Sequence, residues 1–135
     1  MKIKDLEKLN KVIENVPKTF SIPLQLKILK NLPIISQELQ IYTKLKSNIY
    51  TEDYLKYHGL RSKLSDNDRK EILELDQEYS QTISEQEIRI REFEEYAKED
   101  FQKSSELIYI NIDELPDDLS QFEEEFLEGL FLITK

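Results

Sequence analysis

Residues Asp66 to Leu107, DNDRKEILELDQEYSQTISEQEIRIREFEEYAKEDFQKSSEL, decide the fold. The stretch contains no Pro and no Gly. Apolar or small residues recur at Ile72, Leu75, Tyr79, Ile83, Ile90, Phe93, Ala97 and Phe101. Steps of three, four and seven place them on one face of a helix. Glu, Gln, Lys and Arg, all good helix formers, fill the other faces. The aromatics and the polar breaks at Thr82 and Gln86 argue against a coiled-coil seam. The expectation is one long helix around which the rest of the chain packs.

Upstream, Leu24, Ile28, Leu32, Ile35, Leu39, Tyr42, Leu45 and Ile49 keep helical spacing, predicting a second long helix from Ser21–Pro23 to Tyr57. Ser21 can cap it, and proline is tolerated in a first turn. Pro33 either kinks this helix or divides it near Leu32. The stripe keeps phase across Pro33, which favours a kink. His58-Gly59 breaks the period, and Gly59 suits a left-handed helix stop. Leu60 to Ser65 then reads as a loop, with Ser65, Asp66 and Asp68 as caps and first-turn acids for the long helix. Two long helices joined by a short loop return antiparallel. Before them, Leu6, Leu9, Ile13 and Val16 predict a first helix over 4–16, stopped by Pro17.

Downstream the period changes. Leu107 to Ile112 is β-branched and aromatic, with Ile108, Ile110 and Ile112 alternating, the one strand candidate. With no strand partner in a helical chain, it is expected to lie on the helices or to pair with another chain. A turn at Asp113–Asp118 leads to a last helix, from Asp117 or Asp118 to Ile133, with Leu119, Phe122, Phe126, Leu130 and Ile133 as its stripe. The expected class is all-α: a long antiparallel helical hairpin, flanking N- and C-terminal helices, and one short extended segment, in a single domain over 1–135.

The net charge of -9 is unevenly spread. Residues 1–65 carry 12 Lys/Arg against 6 Asp/Glu, residues 66–106 carry 6 against 14, and residues 107–135 carry 1 against 8. A basic first half packed beside an acidic second half accounts for this, and an acidic surface aimed at a basic partner is the sharper alternative. There is no cysteine, hence no disulfide or thiolate chemistry. No apolar run approaches the roughly 20 residues of a membrane span, and the N-terminus reads as no targeting segment.

No catalytic, cofactor-binding or metal-binding residues are assigned. The single histidine, His58, has no companion ligands in a recognisable motif. Asp66-Asn67-Asp68 lacks the glycine and the final glutamate of a calcium loop. Glu94-Glu95 and Glu123-Glu124-Glu125 read as solvated helix faces, since acid–base catalysis needs a cleft that separates two pKa values. With two glycines there is little to cradle a nucleotide. The charge disfavours nucleic acid, although Lys2, Lys4, Lys8, Lys11, Lys18, Lys27 and Lys30 could form a basic face.

Three features together resemble the small accessory proteins of tailed bacteriophages. They are the opening Lys2-Ile3-Lys4-Asp5-Leu6 with Leu9-Asn10, the central helices with Lys27, Leu29, Lys30 and Leu32, and the ending Ile108–Ile112, Leu115, Leu119, Leu130 and Ile133. Pro17, Pro23 and Pro33 depart from that group's more regular helices. The resemblance implies a non-enzymatic protein that binds another protein. The first reading is an acidic inhibitor or modulator of a host or defence protein in the host cytoplasm. The alternative is an assembly or structural component of the virion, and the second alternative is nucleic-acid binding through the basic N-terminal half. The candidate partner-binding residues are Glu123, Glu124, Phe126, Leu127, Glu128, Leu130 and Phe131. That apolar face is expected to be covered by the helices of its own chain, by a second copy as a homodimer, or by a target.

Overall fold

The computed structural model describes residues 1–135 and is mostly helical, at 66%. Its α-helices are α1 (Leu6–Glu14), α2 (Ile22–Leu29), α3 (Leu32–Ser47), α4 (Glu52–Ser62), α5 (Arg69–Glu78), α6 (Ser80–Ala97) and α7 (Glu124–Phe131). Short 3-10 turns occupy Ile3–Asp5, Ser104–Glu106 and Ile112–Glu114. No sheet forms, so the all-α class holds. The chain divides into a terminal unit, Met1–Tyr42 with Ala97–Lys135, and a central unit, Thr43–Tyr96.

In the terminal unit, the stripe of α1 is buried at Leu6, Leu9 and Ile13, together with Val12. The helix ends at Asn15, whose side-chain and backbone N–H groups both donate to the Lys11 carbonyl. Ser21 caps α2 as expected: its Oγ accepts from the Leu24 N–H at 3.3 Å. The anticipated kinked helix from Ser21 to Tyr57 does not form. Its first break is at Lys30–Asn31, ahead of Pro33, which sits at the second position of α3. A proline there would clash with the carbonyl four residues back in a continuous helix, so the chain restarts instead. Asn31 stabilises the break. Fully buried, it accepts from the Ile108 N–H at 2.7 Å and donates to the Ile108 and Lys27 carbonyls.

Asn31 and the chain's own C-terminus also correct the expectation for the strand candidate. Ile110 exchanges backbone hydrogen bonds with the end of the chain: its N–H donates to the Ile133 carbonyl and its carbonyl accepts from the Lys135 N–H. This is one isolated bridge, not a strand. The alternation fails with it, for Ile110 is buried, Ile108 half-buried and Ile112 exposed. The last helix is shorter than expected. Residues 117–123 turn instead, Asp118 accepting from both the backbone and the hydroxyl of Ser120, and α7 starts at Glu124. At the other end, Ile3 N–H donates to Glu99 and Phe101 N–H to Met1, tying the N-terminus to the segment after α6.

In the central unit, a second break at Asn48–Tyr50 interrupts the expected helix, and Thr51 caps α4 through the Tyr54 N–H. His58-Gly59 is not a stop but lies inside α4, which runs on to Ser62. Asp68 fastens the following turn by accepting from Ser65 N–H and Oγ. The expected helix 66–107 is divided at Tyr79 and ends at Ala97. Arg89 bonds Asn48 and Ile49, Gln86 bonds Ile49 and Thr51, and Tyr57 bonds Asp76. Ascending numbers meet descending ones, so the chain doubles back antiparallel within this unit. The uninterrupted pair of long helices read from the sequence is therefore replaced by shorter ones.

Candidate interaction surfaces

The C-terminal helix docks on α1. Both carry an apolar stripe, and the crossing is close because of Gly129: a Cβ there would fall on the Lys8 carbonyl oxygen and 2.6 Å from Val12 Cγ2. Leu130 and Ile133 are buried, Phe126 and Leu127 half-buried, and Phe131 is 47% exposed. Glu123, Glu124 and Glu128 are exposed. Of the candidate partner-binding residues, Leu130 is thus sealed inside the terminal unit, and Glu128 is engaged by Lys8 at 3.0 Å. That contact holds the Lys8 ammonium above its usual range, mainly through the hydrogen bond to Glu128 and then its charge. Phe122 stacks on Phe126 with ring centres 5.2 Å apart and meets the edge of Phe20. Beside them lies an open groove of about 380 Å³, lined in part by Lys11, Pro17, Glu123 and Glu125.

Four ion pairs join the basic N-terminal segment to acids in the C-terminal part of the chain. Lys2–Asp100, Lys8–Glu128, Lys11–Glu125 and Lys27–Glu114 each join a cation of the first thirty residues to an acid beyond Glu99. Lys2 holds the Asp100 carboxyl below its usual range by hydrogen bond and charge.

A different face is left open. In α2, Leu24 and Ile28 are buried, while Ile22 is 73% exposed, Leu26 49% and Leu29 45%. These three occupy positions i, i+4 and i+7, one outward stripe, and exposed Leu32 and Pro33 follow it. Sequence reading assigned only the inner stripe of this helix. The signal for the outer one was present: five of the eight residues in IPLQLKIL are large aliphatics, more than one face can bury. From Asn15 to Gln37 there is no acidic residue. Lys18 and Lys30 flank the helix in the chain and form no ion pair.

The central unit carries an aromatic cluster. Tyr50 stacks on Tyr54, Tyr54 meets Tyr57 and His58, and Tyr57 meets Tyr79. The Tyr57 hydroxyl donates to Asp76 at 2.6 Å, which raises its pKa, with burial adding to the effect. The rings form a packed tyrosine cluster, and no group of three or more His, Cys, Asp or Glu in the structure could hold a metal ion. No helix is long and apolar enough to cross a membrane. No protein family, curated protein or solved structure matches this chain.

Proposed function

We propose that this chain is a non-enzymatic accessory protein of the kind tailed bacteriophages carry, acting by binding another protein in the host cytoplasm and thereby inhibiting or modulating it. The observation that carries this reading is α2. A helix apolar on two opposite faces is ordinarily covered on both, yet the outer face of this one, Ile22, Leu26 and Leu29, is exposed while Leu24 and Ile28 are buried. An exposed apolar stripe of that kind marks a protein-contact surface. The opening motif, the central helices and the closing apolar tail that resemble phage accessory proteins supply the biological setting.

The experiment is affinity capture from expressing and from infected bacteria, using the wild-type chain and Leu26→Asp, with mass spectrometry of the captured proteins. The expected result is one host protein enriched with the wild type and at least about tenfold less with the variant, as for loss of a central apolar anchor. Capture of virion components alone would replace the inhibitor reading with a structural one. Capture of nothing by the wild type would overturn protein binding.

A further inference from the structure

We infer that the outer face of α2 docks an amphipathic helix of a partner protein, apolar along one side and acidic on its flanks. The inference rests on the protein-binding reading above and names the chemistry of the partner.

The shape of the surface is the first argument. Ile22, Leu26 and Leu29 form a straight stripe over two helical turns, about 10 Å long, and Leu32, beyond the break that ends α2, is exposed as well. A second helix laid along such a stripe meets it with its own apolar positions three and four apart. Four partly exposed aliphatic side chains fall short of the ~800 Å² per partner of a standard stable interface, which suits one helix better than a permanent dimer.

The charge around the stripe is the second argument. The protein as a whole carries -9, but the stretch from Asn15 to Gln37 contains only cations. Lys18, just before α2, and Lys30, just after it, form no ion pair with acids of their own chain, as is also true of Lys4, Lys98 and Lys103; what sets Lys18 and Lys30 apart is that they flank the stripe in the chain. An acidic flank on the partner completes them, and the same cations repel a basic one. A symmetric contact with a second copy would bring Lys18 and Lys30 against their equivalents with no acid in the segment to offset them. An anionic membrane surface gains only about 1 kcal/mol per lysine near it, against the repulsion of the -9 chain.

The test uses the full chain and a synthetic helix of about 16 residues, long enough to hold helical structure. Leu lies at i, i+4 and i+7 with Glu on both flanks, and a control peptide has Lys in place of Glu. Fluorescence anisotropy at low salt should show the acidic peptide binding at least about tenfold tighter than the basic one. Leu26→Asp should weaken it about tenfold or more, and Lys18→Glu with Lys30→Glu should reverse the preference between peptides. The charge variant touches no buried side chain, so it remains decisive if Leu26→Asp impairs folding. Equal binding of both peptides, binding indifferent to these variants, or no binding overturns the inference. So does a dimeric mass in sedimentation that Leu26→Asp makes monomeric, which would seat a second copy on the stripe. Flotation with phosphatidylserine vesicles, abolished by the same variant, would seat a membrane there and overturn it too. Failure with the peptides alongside an intact, Leu26-independent capture from cells would sink this inference and leave the protein-binding reading standing.

Discussion

Replacing Gly129 by Ala should destabilise the protein, although alanine is the better helix former. The added Cβ would collide with the Lys8 carbonyl oxygen, lie 2.9 Å from the Lys8 carbonyl carbon and 2.6 Å from Val12 Cγ2. Two of these three atoms are backbone, so no side-chain rotation relieves them. Ordinary contact requires α7 to withdraw from α1 by roughly 1 Å, and a gap of that size forfeits about a quarter to a half of each dispersion contact it opens. Leu9, Val12 and Leu130, all buried, lie on the helices that would part, and buried Ile133 follows α7 directly. Overpacking of this kind costs about 1–3 kcal/mol, and here the upper end applies because backbone must move. The gain in helix propensity returns about 1 kcal/mol. The net expectation is a loss of about 2 kcal/mol, or a fall of about 6–8 °C in melting temperature for a chain of this size. Urea titration by far-UV circular dichroism measures it, with an unchanged slope showing that only stability moved. Gly59→Ala is the internal control. Gly59 also lies within a helix, but nothing is within 4 Å of its added Cβ, so that variant should gain about 0.5–1 kcal/mol. If Gly129→Ala is as stable as the wild type or more so, α1 and α7 do not cross at this glycine.

Three further outcomes are expected. Asn31→Ala should cost about 1–3 kcal/mol in urea, because the part-buried Ile108 N–H and carbonyl lose their partner, and Asn31→Leu should not rescue it. Amides of α4 and α5 should exchange with deuterium sooner than those of α1, since no apolar side chain of the central unit is fully buried whereas α1 buries four; equal protection would refute this. The Lys2–Asp100 and Lys8–Glu128 pairs set opposite pH limits. The Asp100 carboxyl is held below its usual 3.8, so its contribution is complete above 3.8 and vanishes as pH falls through the folded value. Lys8 is held above its usual 10.5, so its contribution is complete below 10.5 and vanishes as pH rises through the folded value. Asp100→Asn should therefore flatten only the acid limb of a stability–pH profile and Lys8→Met only the alkaline limb. Both effects should be small, and both should shrink in 1 M salt because the groups are exposed.

Helical periodicity located the faces of the chain better than its breaks. Leu6, Leu9, Ile13, Leu24, Ile28, Ile35 and Tyr42 are legible as inward and are buried, whereas Leu32 and Leu45 of the same expected stripes are exposed and Ile72, Leu75, Tyr79, Ile83, Ile90 and Phe93 are only half-buried. The breaks depend on polar groups whose partners are distant in sequence. Gln86 looked like a polar interruption of an apolar stripe. It is buried because its amide donates to the Ile49 carbonyl and accepts the Thr51 N–H, which a helix end would otherwise leave unpaired. Asn31 serves Ile108, 77 residues away, in the same manner. No local pattern announces such a pairing. The strand candidate misled for a related reason: β-branched composition reports fitness for an extended backbone, whereas a strand also needs a neighbour of comparable length, and Ile110 finds only the last three residues of the chain.

The ion pairs of the terminal unit do more to specify its arrangement than to stabilise it. Each is exposed, and exposed pairs contribute little. Their order is informative, however: Lys8 meets Glu128 while Lys11 meets Glu125, so α7 runs antiparallel to α1 in a register that also sets Gly129 over Lys8. Sliding α7 by one turn would separate both pairs and replace the glycine at the crossing by Glu125 or Ile133, neither of which permits so close an approach. Charge and shape therefore select the same register independently, which is the consistency expected of a sequence that specifies one structure. The register of α7 on α1 uses Lys8 and Lys11, and the ion pairs of the unit also take in Lys2 and Lys27 but not Lys18 or Lys30. The outer stripe of α2 is left out likewise, since its inner residues Leu24 and Ile28 are the buried ones. Under the docking proposed above, substitutions on the stripe and at its two flanking lysines alter recognition without touching the buried contacts of α1, α2 and α7.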